Sequence, residues 1–444
     1  MIGRVIRTKL SSFQIIIIGF LSVIMIGTLL LALPISAKVC RWTSFENAFF
    51  TATSAVCVTG LVVRDTAAYW SVFGQIVILI LIQIGGLGIV SVTAFIATVS
   101  GKRISLLQRN MLQESISTLQ VGGVVKMTSF IFKVAFAVEM LGAAVMLPTF
   151  CTKFGVAGIW MAVFHSVSAF CNAGFDIMGE HTGAFSSLTS FGNNLGIITP
   201  ICILIMIGGI GFLTWDDISK HRFHLQKYRL QSKAILAVTA TLILIPTAIF
   251  FFNDFSTYGL KERFCLSVFQ AVTPRTAGFN TADLNAMSSA GQAVTIMLML
   301  IGGSPGSTAG GIKTTTLAVL VANSIAVIRR KRSPQIFGRR IEEQTIKSAA
   351  TLLLMYLFLT ITGAFIISIA DGIPYALCIF ETASAIGTVG LSLGITTTIG
   401  SVSHMVLISL MFFGRVGGLT LLFATIHSSG MEVCRYPVER INVG

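Results

Sequence analysis

A chain of 444 residues that is 54% hydrophobic and 11% charged cannot be an ordinary soluble protein, because soluble domains carry about 25% charged residues. Its formal net charge of +14 suggests nucleic acid, but Lys and Arg gather at the N-terminus and in residues 102–126, 220–233, 329–347 and 435–440, between or after apolar runs. Short basic loops of that kind mark the cytoplasmic side of a membrane protein and meet anionic lipid. Its eight cysteines form no CxxC pair and its six histidines no HExxH spacing, so the sequence gives no support to a zinc site, a disulfide scaffold or an enzyme.

The first apolar run, residues 13–33, follows Arg4, Arg7 and Lys9. It is longer than the roughly 7–15 residues of a signal peptide's apolar region and ends at Leu33-Pro34 without a small-x-small site, so we read it as a retained membrane helix. A shorter stretch follows, residues 44–55, ending in Thr53-Ser-Ala-Val-Cys-Val-Thr-Gly60-Leu. Next comes a second long run, residues 72–99, carrying Gly85-Gly-Leu-Gly88. The same order recurs three times. The short stretches end in Ser168-Ala-Phe-Cys-Asn-Ala-Gly174-Phe, Ala271-Val-Thr-Pro-Arg-Thr-Ala-Gly278-Phe and Ser384-Ala-Ile-Gly-Thr-Val-Gly390-Leu. These glycines stand 114, 104 and 112 residues apart, against 111 for a quarter of the chain. The second glycine signal follows as Gly208-Gly-Ile-Gly211, Gly302-Gly-Ser-Pro-Gly306 and Gly414-Arg-Val-Gly-Gly418.

The repeat predicts an all-α membrane protein of four covalently linked units, residues 1–100, 101–217, 218–328 and 329–444. Each reads as a span, a short re-entrant pore helix, an irregular loop and a second span. Two spans per unit predict eight transmembrane spans around a pseudo-four-fold pore, with both termini cytoplasmic in the cell membrane. Irregular backbone at membrane depth survives only where it is buried in protein or lines a water-filled cavity. A short helix aimed inward brings the partly negative end of its dipole toward the axis, which favours a cation. A ring of loop carbonyls can then replace an ion's hydration shell.

The loops resemble those of the Trk/Ktr/HKT potassium transporter superfamily, and the resemblance covers essentially the whole chain. Thr388-Val389-Gly390 resembles the core of the potassium-channel filter, with Val58-Thr59-Gly60, Asn172-Ala173-Gly174 and Thr276-Ala277-Gly278 as degenerate versions. Among the subfamilies the chain is most similar to the Ktr-type membrane subunit, because only about a dozen residues precede the first span. Gly60, where HKT members often have serine, implies potassium over sodium. The resemblance further implies potassium as the substrate with sodium as a possible activator, no covalent cofactor, a homodimer, and a cytoplasmic ring that binds adenine nucleotides. The basic loops, including Arg329-Arg-Lys-Arg332, are candidate contacts for that ring.

Residues 302–311 read Gly302-Gly303-Ser304-Pro305-Gly306-Ser307-Thr308-Ala309-Gly310-Gly311 within the third unit's second span. No helix of ordinary stability survives that composition. The resemblance implies an intramembrane gating loop below the filter. A phosphate-binding loop is disfavoured because Ile312 separates Gly311 from Lys313 and no strand precedes it. Arg415 lies within the last apolar run, residues 402–423, where a charge is a functional hypothesis by default; the resemblance implies a position just under the filter. Arg275 is expected to brace the filter backbone, Lys133 and Glu139 to pair or snorkel within one span, and Lys313 to lie near the pore or at a dimer contact. Asp65, Asp176 and Asp283 follow Gly60, Gly174 and Gly278 closely enough to reach the outer mouth. Passive, channel-like permeation fits four equal units. The alternative is a sodium-coupled secondary transporter, which would also use broken helices.

Overall fold

The computed structural model describes residues 11–100, 104–116, 123–418 and 439. Arg4, Arg7, Lys9, Lys102, Arg435 and Arg440, on which part of the orientation argument rests, lie outside those residues.

The first unit comprises α1 (Ser12–Ala32), α2 (Phe45–Val56), α3 (Val72–Leu87) and α4 (Ile89–Val99), and α5 (Leu106–Ile116) follows it. The second comprises α6 (Val124–Phe154), α7 (Ala157–Phe170), α8 (Leu195–Gly209) and α9 (Phe212–His221). The third comprises α10 (Leu230–Phe252), α11 (Leu260–Val272), α12 (Ser289–Leu300) and α13 (Thr314–Ile328). A two-residue hairpin pairs β1 (Gln335–Ile336) with β2 (Arg339–Arg340) before the fourth unit, α14 (Glu343–Asp371), α15 (Tyr375–Gly387) and α16 (Ser401–Val416). The boundary expected at residue 217 falls inside α9.

Local sequence sets the starts. Ser11 and Gln14 form a reciprocal capping box on α1, at 3.0 and 3.2 Å. The Ser44 hydroxyl accepts the Asn47 amide at the head of α2, with Glu46 in the first turn against the positive end of the helix dipole. The short helices α2, α7, α11 and α15 run 12 to 14 residues. That is about 18–21 Å, against about 30 Å of hydrocarbon, too short to cross.

Polarity is inverted relative to a soluble bundle. Leu29, Phe136, Leu244 and Phe358, one on each long helix, are exposed, whereas Thr53, Ser168, Gln270 and Glu381, one on each short helix, are buried. The outer surface is built for lipid and the polar groups face inward. Each long helix packs on the short helix of its own unit: α1 on α2, α6 on α7, α10 on α11, α14 on α15. The helix after each short one also packs on the next unit's short helix: α3 on α7, α8 on α11, α12 on α15, and α16 on α2. The last pair joins the fourth unit to the first, so the units close into a ring.

The expected eight spans are not all present as continuous helices. Among the described residues, four helices are long and apolar enough to cross a membrane, beginning at Phe13, Val124, Leu230 and Glu343. The run 72–99, read as one long span, bends by 96° between α3 and α4, and the second unit bends by 99° between α8 and α9. Counting each bent pair as one span gives six. Glycine causes the bends. Gly88 and Gly211 have φ of +84° and +91° with extended ψ, a conformation that side chains with a Cβ rarely adopt. Gly417 repeats it after α16, at φ +91°. The third unit replaces the bend with a loop from Ile301 to Lys313, as its composition predicts.

Candidate functional site

The four loops after the short helices share one backbone conformation. Val58, Asn172, Thr276 and Thr388 have φ of +57°, +58°, +71° and +52°, and Gly60, Gly174, Gly278 and Gly390 have φ of +88°, +67°, +79° and +93°. Left-handed φ costs the β-branched Val58, Thr276 and Thr388 about 1–2 kcal/mol each, strain that the surroundings hold in place, whereas Asn172 and the glycines tolerate it.

The loops also meet in a fixed cyclic order. A Cβ added to Gly60 would meet Ala173 O and lie 3.2 Å from Gly174 Cα. One on Gly174 would lie 2.6 Å from Ala277 O and 3.0 Å from Gly278 Cα. One on Gly278 would meet Val389 O and lie 3.2 Å from Gly390 Cα, and one on Gly390 would meet Thr59 O and lie 3.0 Å from Gly60 Cα. Glycine is thus required at each position by its φ and by the neighbouring unit's backbone. At the next position in, Asn172 and Thr276 bond each other at 3.1 Å. The buried hydroxyls of Thr59 and Thr388 have no hydrogen-bond partner among the described residues.

One hydroxyl per unit, which the motif reading passed over, ties each loop to its helix. Gly60 and Gly390 amides donate to Ser54 Oγ at 3.1 Å and Ser384 Oγ at 3.0 Å. Ser168 Oγ donates to Phe175 O at 2.7 Å and Thr273 Oγ1 to Phe279 O at 2.6 Å. These residues precede the loop glycine by six positions, or five in the third unit, a spacing visible in the aligned repeats.

The second glycine signal has a matching explanation. A Cβ on Gly85 would strike Val56 O, on Gly208 Phe170 O, and on Gly414 Ile386 O, each at the end of its own unit's short helix. The third unit departs from this, since Gly302 packs on Gly310 and Gly311 of its own loop. That loop is stitched to the second unit: Ser304 N donates to Gly209 O at 2.9 Å, Thr308 N to Gly208 O at 3.2 Å, and Phe212 N to Gly306 O at 2.7 Å. Gly310 abuts the Thr388 side chain, so the loop lies directly beneath the four-loop ring. Lys313 folds back onto it, Nζ donating to Ala309 O at 2.8 Å.

Arg415 joins three units. Its guanidinium donates to Thr308 O in the third unit's loop, to Gly85 O at 2.5 Å and to Gly86 O at 3.0 Å in the first. Its hydrogen bonds among the described residues go to carbonyls and none to a carboxylate, so the charge is not spent on an ion pair. Arg415, Lys313, Gly311 and Phe212 line a cavity of about 420 Å³ beneath the ring.

A second cavity of about 420 Å³ lies on the other side, lined by Gly60, Gly174 and Gly278 together with Asp65, Asp176 and Asp283. The Asp65 carboxylate is already held by the Ala68 and Phe185 amides, at 2.8 and 2.7 Å. Burial, reinforced by the Asp65 charge, pushes the Asp176 carboxyl up to about 6 against the Met178 amide that favours its charged form.

Two expectations are corrected. Arg275 does not brace the loop backbone; it reaches outward to Thr239 Oγ1 on α10, at 3.3 Å, with its Nε unpartnered. Glu139 does not pair with Lys133 on its own helix, because the inward-facing Gln83 amide on α3 donates to both its oxygens at 3.0 and 3.2 Å.

Comparison with known proteins decides the family. The TrkH family, described as a cation transport protein, matches residues 7–433. The chain belongs to the TrkH family of cation transport proteins. It is 39% identical to the potassium/sodium uptake protein NtpJ of Enterococcus hirae, over 99% of this chain and 98% of that one. It is 36% identical to the Ktr system potassium uptake protein B of Bacillus subtilis, over 97% and 96%. The crystal structure of the potassium transporter TrkH from Vibrio parahaemolyticus shares the fold, with a TM-score of 0.70 over 94% of this chain and 86% of that one, at 19% identity. TrkH-family membership makes the chain a membrane cation transporter, with no enzyme among the relatives named here.

Proposed function

We propose that this chain is the ion-translocating subunit of a potassium uptake system. Potassium passes down its electrochemical gradient through a filter formed by the four loops ending in Gly60, Gly174, Gly278 and Gly390. The observation that carries this reading is the cyclic order in which each of those glycines abuts the carbonyl before the next. A ring of carbonyls around an axis replaces the hydration of a monovalent cation. The unpartnered hydroxyls of Thr59 and Thr388 add oxygen ligands of the same kind. Residues 302–311 and Arg415 form the gate, a backbone plug held from below by a fixed positive charge that raises the barrier to a cation. The bent and interrupted second helices complete eight crossings, with both termini in the cytoplasm of a cell-membrane protein.

Three relatives are named as parts of Ktr systems, which supports a further system component; we take it to be a cytoplasmic nucleotide-binding regulatory subunit that meets a homodimer of this chain at the basic loops around Arg329–Arg332. The name of the Enterococcus relative supports a second reading, sodium-coupled potassium uptake. The test is rubidium uptake by the chain in a potassium-uptake-deficient host, with and without sodium, alongside Gly60→Ser. Uptake that needs no organic solute, with potassium-over-sodium preference lost in Gly60→Ser, is the expected result. An absolute requirement for sodium in the uptake step favours coupling. Unchanged preference in Gly60→Ser overturns the filter reading.

A further inference from the structure

The seam between the fourth and first units carries a run of polar contacts that ion passage through the ring does not require. His404 lies in the first turn of α16 and Glu46 in the first turn of α2. His404 Nδ1 is 2.7 Å from Glu46 Oε1, and its Nε2 is 2.9 Å from the Thr396 carbonyl oxygen. A carboxylate and a carbonyl are both acceptors. A neutral imidazole owns one N–H and serves one of them; the imidazolium serves both. Ser401 Oγ donates to the other Glu46 oxygen at 2.8 Å, and the Phe50 ring packs edge-on against the imidazole at 5.2 Å.

The run continues inward. The Thr396 hydroxyl bonds Glu381 Oε1 and lies 3.2 Å from Ser392 Oγ. Glu381 is fully buried on α15, nine residues before Gly390, and its carboxyl is also approached by the Ser392 side chain and the Leu393 backbone. Ser392 to Thr396 is the segment that leaves Gly390 and lines the outer cavity. Gly390 is the residue whose Cβ would strike Thr59 O and Gly60. His404 therefore ties the stretch of chain that follows Gly390 to Glu46 of the first unit.

Every charged neighbour points the same way. Glu46 is the one charged residue of α2, α15 supplies Glu381, and α14 supplies Asp371, whose carboxylate takes the Gly400 amide at 3.1 Å and the Ser403 hydroxyl at 2.5 Å. Packed nearby, α1 carries no titratable residue. Among the described residues no Lys or Arg is bonded to any of these three side chains.

We propose that His404 is a positioning residue: as an imidazolium it clamps the segment after Gly390 to the first unit's short helix, and its deprotonation slackens the Gly390–Gly60 junction and lowers the preference for potassium over sodium. The inference rests on the reading of the four loops as the filter. The sign follows from the bonds. The clamp is complete while the ring carries both protons, and one of its two contacts is lost as pH rises through the histidine's titration.

The test is rubidium uptake against competing sodium by the full chain in the uptake-deficient host, at external pH of about 6 and about 8.5, values that bracket histidine titration. The native chain is expected to lose about threefold in preference at the higher pH, the scale of one net hydrogen bond. His404→Gln is expected to show the reduced preference at both. Glu46→Gln, on a side chain 39% exposed and so harmless to folding, is expected to lower preference already at the lower pH. A flat native profile overturns the inference, as does a native pH dependence in either variant. Should His404→Gln fail to reach the membrane, Glu46→Gln decides. Gly390→Ser is measured in parallel. If it leaves preference unaltered, the filter reading itself fails; if it alters preference while the histidine and glutamate variants match the native chain, this inference alone fails.

Discussion

The ring of loops and the layer beneath it follow opposite rules. In the ring, four different sequences converge on one conformation, with left-handed residues two positions apart and each glycine pressed on the next unit's backbone. Beneath it the units diverge. The first and second bend their helices by 96° and 99° at Gly88 and Gly211, the third opens into the loop of residues 302–311, and the fourth contributes Arg415. An ion on the axis meets all four loops at once, so the ring has to be repetitive. A barrier needs only one movable element and one charge, so the layer below can be unequal. On the proposed reading, selectivity and control are separated by depth rather than shared among units.

The comparison breaks most readily at Gly278. Gly278→Ala forces a Cβ into Val389 O at φ +79°. A left-handed penalty of about 1–2 kcal/mol plus the clash should reduce rubidium uptake by about tenfold or more. Native uptake at a native amount of membrane protein would show that the ring tolerates asymmetry. Arg415→Ala tests the lower layer. It removes three bonds that hold the loop and a fixed charge, and charge-assisted bonds contribute about 1.5–3 kcal/mol each, so flux should rise by about tenfold with preference unchanged. A change in preference instead would mean the two layers are not separate.

Smaller effects are expected at the outer cavity. Asp176 titrates near 6, so rubidium uptake at limiting concentration should fall by about threefold as external pH drops through that value, as the mouth loses negative charge. Asp176→Asn should show the low-pH rate throughout, and an unchanged profile would remove the acids from any role in gathering cations. The smallest effect belongs to Lys38, which bonds Glu180 at 2.5 Å and holds its carboxyl below the usual range. A depressed carboxylate stabilises above its ordinary titration and loses that contribution as pH falls through its lowered value. For so exposed a pair, Lys38→Ala should cost under about 1 kcal/mol near neutral pH, read as a small drop in Tm that vanishes in acid.

The sequence made the short helices, the four glycines and the broken third helix legible, because each depends on local chemistry: helix length, φ tolerance and helix propensity. The ring's order was not legible, since it consists of contacts between residues more than 100 positions apart. The bends at Gly88 and Gly211 were carried by the second glycine signal, yet the surrounding apolarity of residues 72–99 read as one continuous span. Arg415 was singled out as a charge within an apolar run, and it is half-buried, but its acceptors at Gly85 and Gly86 belong to a unit 330 and 329 residues away. Arg275 misled for the converse reason. Its closeness in sequence to Gly278 suggested a partner in the loop, whereas in the turn after α11 the side chain reaches Thr239 on α10 instead.

Closure of the ring within a single polypeptide has a further consequence. In a pore of four identical chains, one codon changes four positions, and a defect of about 1 kcal/mol is felt four times around the axis. Here a substitution at Val58 changes one of the four positions and leaves the other three as they were. Such a pore can be graded in quarter steps, and Val58, Asn172, Thr276 and Thr388 differ in chemistry while keeping one backbone shape. A single chain gives up economy of sequence for the freedom to specialise each quadrant.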